Sequence, residues 1–260
     1  MSICITGTGS YIPEIIKKNQ DFLNNKFLNP DGSEFNVTND VIIKKFKAIT
    51  GIEERRYAKH NYNTSDLAFF AAQKAIKDAK INPETLNYII VAHNFGDIKA
   101  KSKQFDQLPS LASRVKYKLG INNPDCICYD LIFGCPGWIE GVIQAQAFIK
   151  AGMAKKCLVI GAETLSRTYD TSDRDSMIFS DGAGATIIEK KDNTDNQGIL
   201  SHKSCTFSLE NTFDLFLGES FNIKEQSQER YIKMHGHKIY EFAITKVPQA
   251  MKECLEYSKK

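Results

Sequence analysis

Hydrophobic and polar positions along the chain form short unbroken apolar runs, separated by stretches with helical spacing. "NYIIVAHN" (87–94), "KCLVIGAE" (156–163) and "GATIIEK" (184–190) are runs of the kind made by strands buried on both faces. "DCICYDLIF" (125–133) predicts a further strand, with Cys126 and Cys128 alternating with Ile127 and Tyr129 across its faces. Leu67, Phe70, Ala71, Ala75 and Ala79 are spaced for one face of a helix, with Thr64 as its N-cap. Pro109 opens a second helix that runs through Leu119 and closes at Gly120. A third follows Cys135 to Ala151 and closes at Gly152. "ICITGTGSYIP" reads as a first strand that breaks at Gly7 and Gly9, and residues 13–38 read as irregular. "DVIIKKFKAI" (40–49) predicts a short helix and "GIEERRYA" (51–58) an extended segment.

Strands alternating with helices in this order predict an α/β layered domain over residues 1–190, its sheet covered on both faces. After residue 197 the cycle restarts. "GILSHKSCTFSL" predicts a strand, a polar loop follows, and residues 237–259 predict a helix that Pro248 kinks or makes regular. Residues 191–260 thus read as the start of a second, incomplete layered half.

Composition narrows the function classes. The 260 residues are 42% hydrophobic and 25% charged, enough for a sizeable core. A net charge of +3 is too weak and too dispersed to argue for a nucleic-acid partner. Lys99, Lys101 and Lys103 read as a solvated loop. No apolar stretch approaches a membrane span, and "MSICITGTGSYIPE" does not read as a leader, so the expectation is a cytoplasmic chain. Seven cysteines, with no Cys-x-x-Cys pair, suggest neither a disulfide framework nor a metal site, and most read as small core residues.

Cys135 stands apart in "DLIFGCPGWIEG". A strand hands over to a helix there, with glycine before the thiol and Pro136-Gly137 after it. Cys135 takes an N-cap-like position with Pro136 first in the helix, at the positive end of the dipole, which favours a thiolate. Its backbone N–H can face a developing oxyanion. The same spacing also suits a buried core cysteine beside a turn.

The surrounding segments resemble the β-ketoacyl-acyl carrier protein synthase III family of the thiolase superfamily. "ITGTGSYIPE", "ITGIEERR", "LPSLASRVKYKLG", "FGCPGWIEG", "DTSDR", "FSDGAGA" and "MHGHKIYEFAITKVPQAM" stand in family order. The resemblance implies a thiolase-like layered α/β fold, N-terminal half complete and C-terminal half truncated. It implies that Cys135 takes the acyl group of an acyl-CoA, and that the carbanion from decarboxylating malonyl-acyl carrier protein then attacks it. It places Arg174 at the CoA adenine, Gly236 beside the pantetheine tunnel, and Leu165 and Phe179 in the acyl pocket. Leu108 would reach into the partner subunit of a homodimer. No cofactor is implied beyond acyl-CoA as substrate.

Three departures stand out. Lys45 and Ile49 occupy positions where the family carries CoA-binding residues, and Leu108 stands where many members have phenylalanine. The family's catalytic histidine and asparagine fall beyond residue 260. None of His60, His93, His202, His235 and His237 matches that histidine's context, and each is expected in a loop or on the surface. The alternative is a catalytically incomplete thiolase-fold subunit that acts by association with a partner.

Overall fold

The computed structural model describes residues 2–192, 198–224 and 228–259. Its centre is a five-stranded mixed sheet built from β1 (Ser2–Tyr11), β4 (Tyr88–His93), β5 (Ile127–Ile132), β6 (Lys156–Thr164) and β7 (Asp181–Lys191), in the order β1-β7-β6-β4-β5. β4 pairs in parallel with β5 and β6, whereas β7 is antiparallel to both β6 and β1. Pleating sends alternate side chains to opposite layers. On one face Ile89, Val91, Leu158 and Ile160 pack against Ala68, Ala71, Ala72 and Ala75 of α2 (Thr64–Ala79) and Leu111 and Val115 of α3 (Leu111–Leu119). On the other, Ile90, Cys157 and Val159 meet Val142, Ala145 and Ile149 of α4 (Gly137–Lys150). The central strands thus lie between helices, as their unbroken apolar runs require.

Gly7 and Gly9 do not break β1. The strand runs through both, with a register shift between Ile5 and Gly7. A Cβ at Gly7 would stand 2.5 Å from Ala75 O, and one at Gly9 2.2 Å from Ala71 O. The glycines therefore mark where α2 presses onto the strand rather than where the strand turns. α2 also ties itself there: Thr8 N–H donates to Asp78 Oδ2 (2.8 Å) and Lys74 Nζ donates to Ser10 O (2.7 Å).

Other boundaries shift for local reasons. Asn63 caps α2, making a capping box with Asp66, while Thr64 is buried and shares a hydrogen bond with Thr164 (2.8 Å). Ser110 caps α3 by accepting from Ser113 N–H, so that helix begins two residues after Pro109. Within 13–38, Ile15–Lys18 form β2, which pairs antiparallel with β3 (Glu54–Tyr57) beside α1 (Asn39–Thr50). Residues 198–209 form no strand. The second half instead contributes a hairpin, β8 (Leu215–Gly218) with β9 (Tyr231–Met234), and α5 (Gly236–Tyr257), which runs through Pro248. No described helix is long and apolar enough to cross a membrane.

Candidate active site

β4, β5 and β6 run parallel, so their C-terminal ends lie side by side, where parallel sheets present binding crevices. A cleft of about 380 Å³ opens there. Asn94 after β4, Cys135 after β5, Glu163 in β6, Leu165 just beyond it and Gly182 of β7 all line it. Gly134 takes φ +83°, which turns the chain out of β5, and Gly137 N–H closes the turn on Gly134 O (3.0 Å). Pro136 has the angles of that turn (φ −83°, ψ 8°) and is itself the N-cap, so α4 starts at Gly137. Cys135 thus stands one residue further from the helix than its expected N-cap-like position. It remains at the positive end of α4, exposed and free of any disulfide. Of the other cysteines, Cys126 and Cys157 are buried, Cys4, Cys128 and Cys254 are partly buried, and Cys205 is exposed.

Polar groups behind the thiol are tightly held. His93, expected in a loop or on the surface, is buried at the end of β4 and lines the cleft. Its Nδ1 accepts from Gly96 N–H (3.0 Å), which leaves the ring proton on Nε2. Nε2 lies 3.0 Å from Asp130 Oδ2, close enough to pair but not aligned for a hydrogen bond. Asp130 in turn accepts from Leu111 N–H (2.7 Å) and Ala112 N–H (2.8 Å), the first turn of α3. The sheet buries His93 because it continues the apolar run of β4; its Nδ1 is met by the nearby Gly96 N–H and its Nε2 faces Asp130 from the neighbouring strand. A larger depression of about 550 Å³ on the α2–α3 side has no cysteine in its lining: Arg114 pairs there with Asp97, and Lys118 with Asp66.

Glu163 opens on the cleft, but its carboxylate is surrounded by protein, and burial pushes its pKa above the ordinary glutamate range. Asn94 works against that shift, its backbone N–H (2.7 Å) and Nδ2 (2.8 Å) both donating to Glu163 Oε2. Asn94 Oδ1 lies 3.7 Å from where a Cβ on Gly134 would be, which places this pair beside the turn that carries Cys135.

The family model for 3-oxoacyl-[acyl-carrier-protein (ACP)] synthase III matches residues 129–206, the stretch that carries most of β5 and all of Cys135, β6 and β7. Beta-ketoacyl-[acyl-carrier-protein] synthase III 1 of Vibrio vulnificus is 34% identical over 253 residues, covering 97% of this chain and 71% of that protein. The synthase III of Neisseria gonorrhoeae is 36% identical over 255 residues, with the same coverage. The chain belongs to the β-ketoacyl-[acyl-carrier-protein] synthase III family. Its fold agrees: the crystal structure of 3-oxoacyl-[acyl-carrier-protein] synthase III from Aquifex aeolicus superposes with a TM-score of 0.75 at 28% identity, covering 99% of this chain and 72% of that one.

Against this synthase III frame, the residues singled out from sequence fall into three places. Leu165 joins Cys135 in the cleft, and Phe179 is buried one residue before the cleft-lining Ser180. Arg174 and Gly236 meet elsewhere, across Asp175. The Arg174 Nε lies 4.0 Å from Asp175 Oδ1, and a Cβ at Gly236 would stand 3.4 Å from Asp175 Oδ2. Leu108 stands out from the surface at 88% exposure. Glu163 and Asn94 were not singled out, and His93 was set aside with the other histidines. A carboxylate ending the buried run "KCLVIGAE" at the binding end of a sheet was the available signal for Glu163.

The Glu163 shift has a pH signature. A raised carboxyl pKa in the folded state means that folded protein binds more protons than unfolded protein above the ordinary glutamate range. Stability is therefore lost as pH rises through that window. The Glu163→Gln variant, which cannot ionise, should gain stability relative to the parent as pH rises, read as the difference in melting temperature from about pH 4 to pH 8.

Proposed function

We propose that Cys135 is the acyl-accepting nucleophile of a condensing enzyme of fatty-acid synthesis. The single observation that carries this is an exposed thiol in a cleft at the binding end of the parallel strands, on a glycine turn at a helix N-terminus. Cys135 Sγ attacks the thioester carbonyl of an acyl-CoA. A new S–C bond forms, the bond to the CoA sulfur breaks, and CoA leaves as the thiol with the proton from Cys135. The carbanion released when malonyl-acyl carrier protein loses CO₂ then attacks the acyl-cysteine carbonyl; a C–C bond forms, the S–C bond breaks, and the Cys135 thiolate that leaves takes up a proton from solvent. No electron is exchanged, so the reaction calls on no redox cofactor. Leu165 and Phe179 bound the acyl group, while Arg174 and Gly236 meet the nucleotide and pantetheine ends of CoA. Residues 1–190 form the nucleophile-bearing half, and residues 191–260 begin the second.

The setting is the cytoplasm and the assembly a homodimer. Edge strand β5 with exposed Ile127, Ile132 and Phe133, together with Leu108, supplies the apolar surface that pairing would cover. A second reading, an acyl-holding subunit that works by association, draws on α5. There Tyr240, Ile244, Val247, Met251 and Leu255 are all exposed at helical spacing.

Acylation and condensation separate experimentally. Carbanion stabilisation needs a free donor beside the acyl-cysteine. In His93, the one histidine among the described residues that lines the cleft, Nδ1 is taken by Gly96 N–H and the Nε2 that carries the proton lies 3.0 Å from the Asp130 carboxylate. Losing such donors costs roughly 10²–10³-fold each. The polypeptide of residues 1–260 should therefore form an acyl-Cys135 adduct with acetyl-CoA, by intact mass, yet give negligible malonyl-dependent product. Robust condensation would contradict this, and a His93→Ala variant would show whether His93 is responsible.

A further inference from the structure

Lys233 on β9 is 2% exposed, which for a lysine requires paired charge. Its Nζ lies 2.6 Å from Asp170 Oδ2 and 3.2 Å from Asp173 Oδ2, and 3.4 Å from the centroid of the Phe221 ring. Burial pushes the Asp170 carboxyl up, but Lys233 and the N–H groups of Phe221 (2.7 Å) and Ser172 (2.9 Å) outweigh it and hold its pKa below the ordinary range. Ile232 N–H donates to Thr168 O (2.8 Å), laying β9 along the segment that leads to Asp170. The same segment goes on directly to Arg174, and β9 leads directly to Gly236. Asp175 joins the two ends: its N–H donates to Asp173 Oδ1 (2.9 Å), and its carboxylate lies between Arg174 and Gly236.

We propose that Lys233 is a positioning residue for acyl-CoA: by neutralising Asp170 and Asp173 it keeps Arg174 directed at the nucleotide rather than at the chain's own carboxylates. This rests on the reading of Arg174 and Gly236 given above. Without Lys233, the neighbouring carboxylates Asp170, Asp173 and Asp175 lose their buried cation, and Arg174 lies beside the last of them. Its Nε is already within 4.0 Å of one of them. Coulomb attraction would then draw the guanidinium inward and take it from the nucleotide.

The test follows Cys135 acylation by intact mass against concentration of two donors, acetyl-CoA and acetyl-N-acetylcysteamine, which lacks the nucleotide. Lys233→Met leaves two buried carboxylates unpaired and can unfold the chain, so the decisive variant is Lys233→Met with Asp170→Asn, which removes one charge of each sign. Melting curves establish that it is folded. The expected result is a KM for acetyl-CoA raised about tenfold, the size of one lost charge-assisted contact, with the maximal rate kept and no matching rise for acetyl-N-acetylcysteamine. A variant that treats both donors alike, whether both unchanged or both slowed, overturns the role of Lys233. Arg174→Ala reports on the underlying reading. If it shows the acetyl-CoA-selective rise and the Lys233 variant does not, only the role of Lys233 falls. If it shows no such rise, both fall.

Discussion

The Cys135→Ala chain is expected to form no acyl adduct, a loss of at least about 10³-fold, while folding as the parent does. The two halves of that expectation have separate causes. The thiol is exposed and makes no disulfide, and the turn that carries it is set by Gly134 and by the Gly137 N–H bond to Gly134 O. Removing one exposed sulfur therefore changes stability by no more than about 0.5 kcal/mol. Chemically, nothing replaces it: among the described residues, the cysteine that lines the cleft is Cys135. Intact-mass analysis with acetyl-CoA and a thermal melt, run on the same preparation, read both halves. Persistent acylation in the variant would place the acceptor elsewhere.

The largest stability effect is expected at Gly9. An alanine Cβ there would stand 2.2 Å from Ala71 O and 2.4 Å from Ala75 N, both backbone atoms of α2 that no rotamer change can move. Either β1 or α2 must shift, and α2 is packed on β1, β6 and β7 at once. Overpacking of this kind costs about 3 kcal/mol, or about 6–12 °C in melting temperature for a chain of this size. Gly184→Ala is the control. It also lies in a strand of the sheet, but its added Cβ meets nothing within 4 Å, and the melt should move little. Equal effects at the two positions would mean that β1 tolerates glycine replacement and that α2 does not press on it.

The contrast between those glycines shows where sequence reading succeeds and fails. The central strands were legible because burial on both faces leaves an unbroken apolar run, a local signature of a tertiary fact. Gly7 and Gly9 resemble a break because the helix that demands them lies some sixty residues on. β8 and β9 were invisible for a related reason. Both are four residues long, and Lys233, a charged residue in β9, is buried only because Asp170 and Asp173 meet it from another segment.

The candidate site divides in the same way. Cys135 was legible because glycine, proline and the start of a helical pattern are its immediate neighbours. Its offset from the cap was not, since the turn closed by Gly137 N–H is a hydrogen bond rather than a composition. His93 was misplaced because a histidine at the end of an apolar run reads as the edge of a loop. Its burial depends on Gly96 N–H and on Asp130, which itself is fixed by the first turn of α3. Family resemblance reached Arg174 and Gly236 through their motifs but not Glu163, Asn94 or Lys233, whose contacts exist only in the folded chain.

Acylation of Cys135 should protect it from alkylation. Cys135 and Cys205 are the exposed thiols, and only Cys135 lines the cleft. Folded chain is incubated with acetyl-CoA, treated briefly with iodoacetamide, and mapped by peptide mass. Acetyl is expected on Cys135 and carbamidomethyl on Cys205, with Cys135 alkylated instead when acetyl-CoA is omitted. Equal alkylation of both thiols after acetyl-CoA, or acetyl on Cys205 in place of Cys135, would contradict Cys135 as the acyl acceptor.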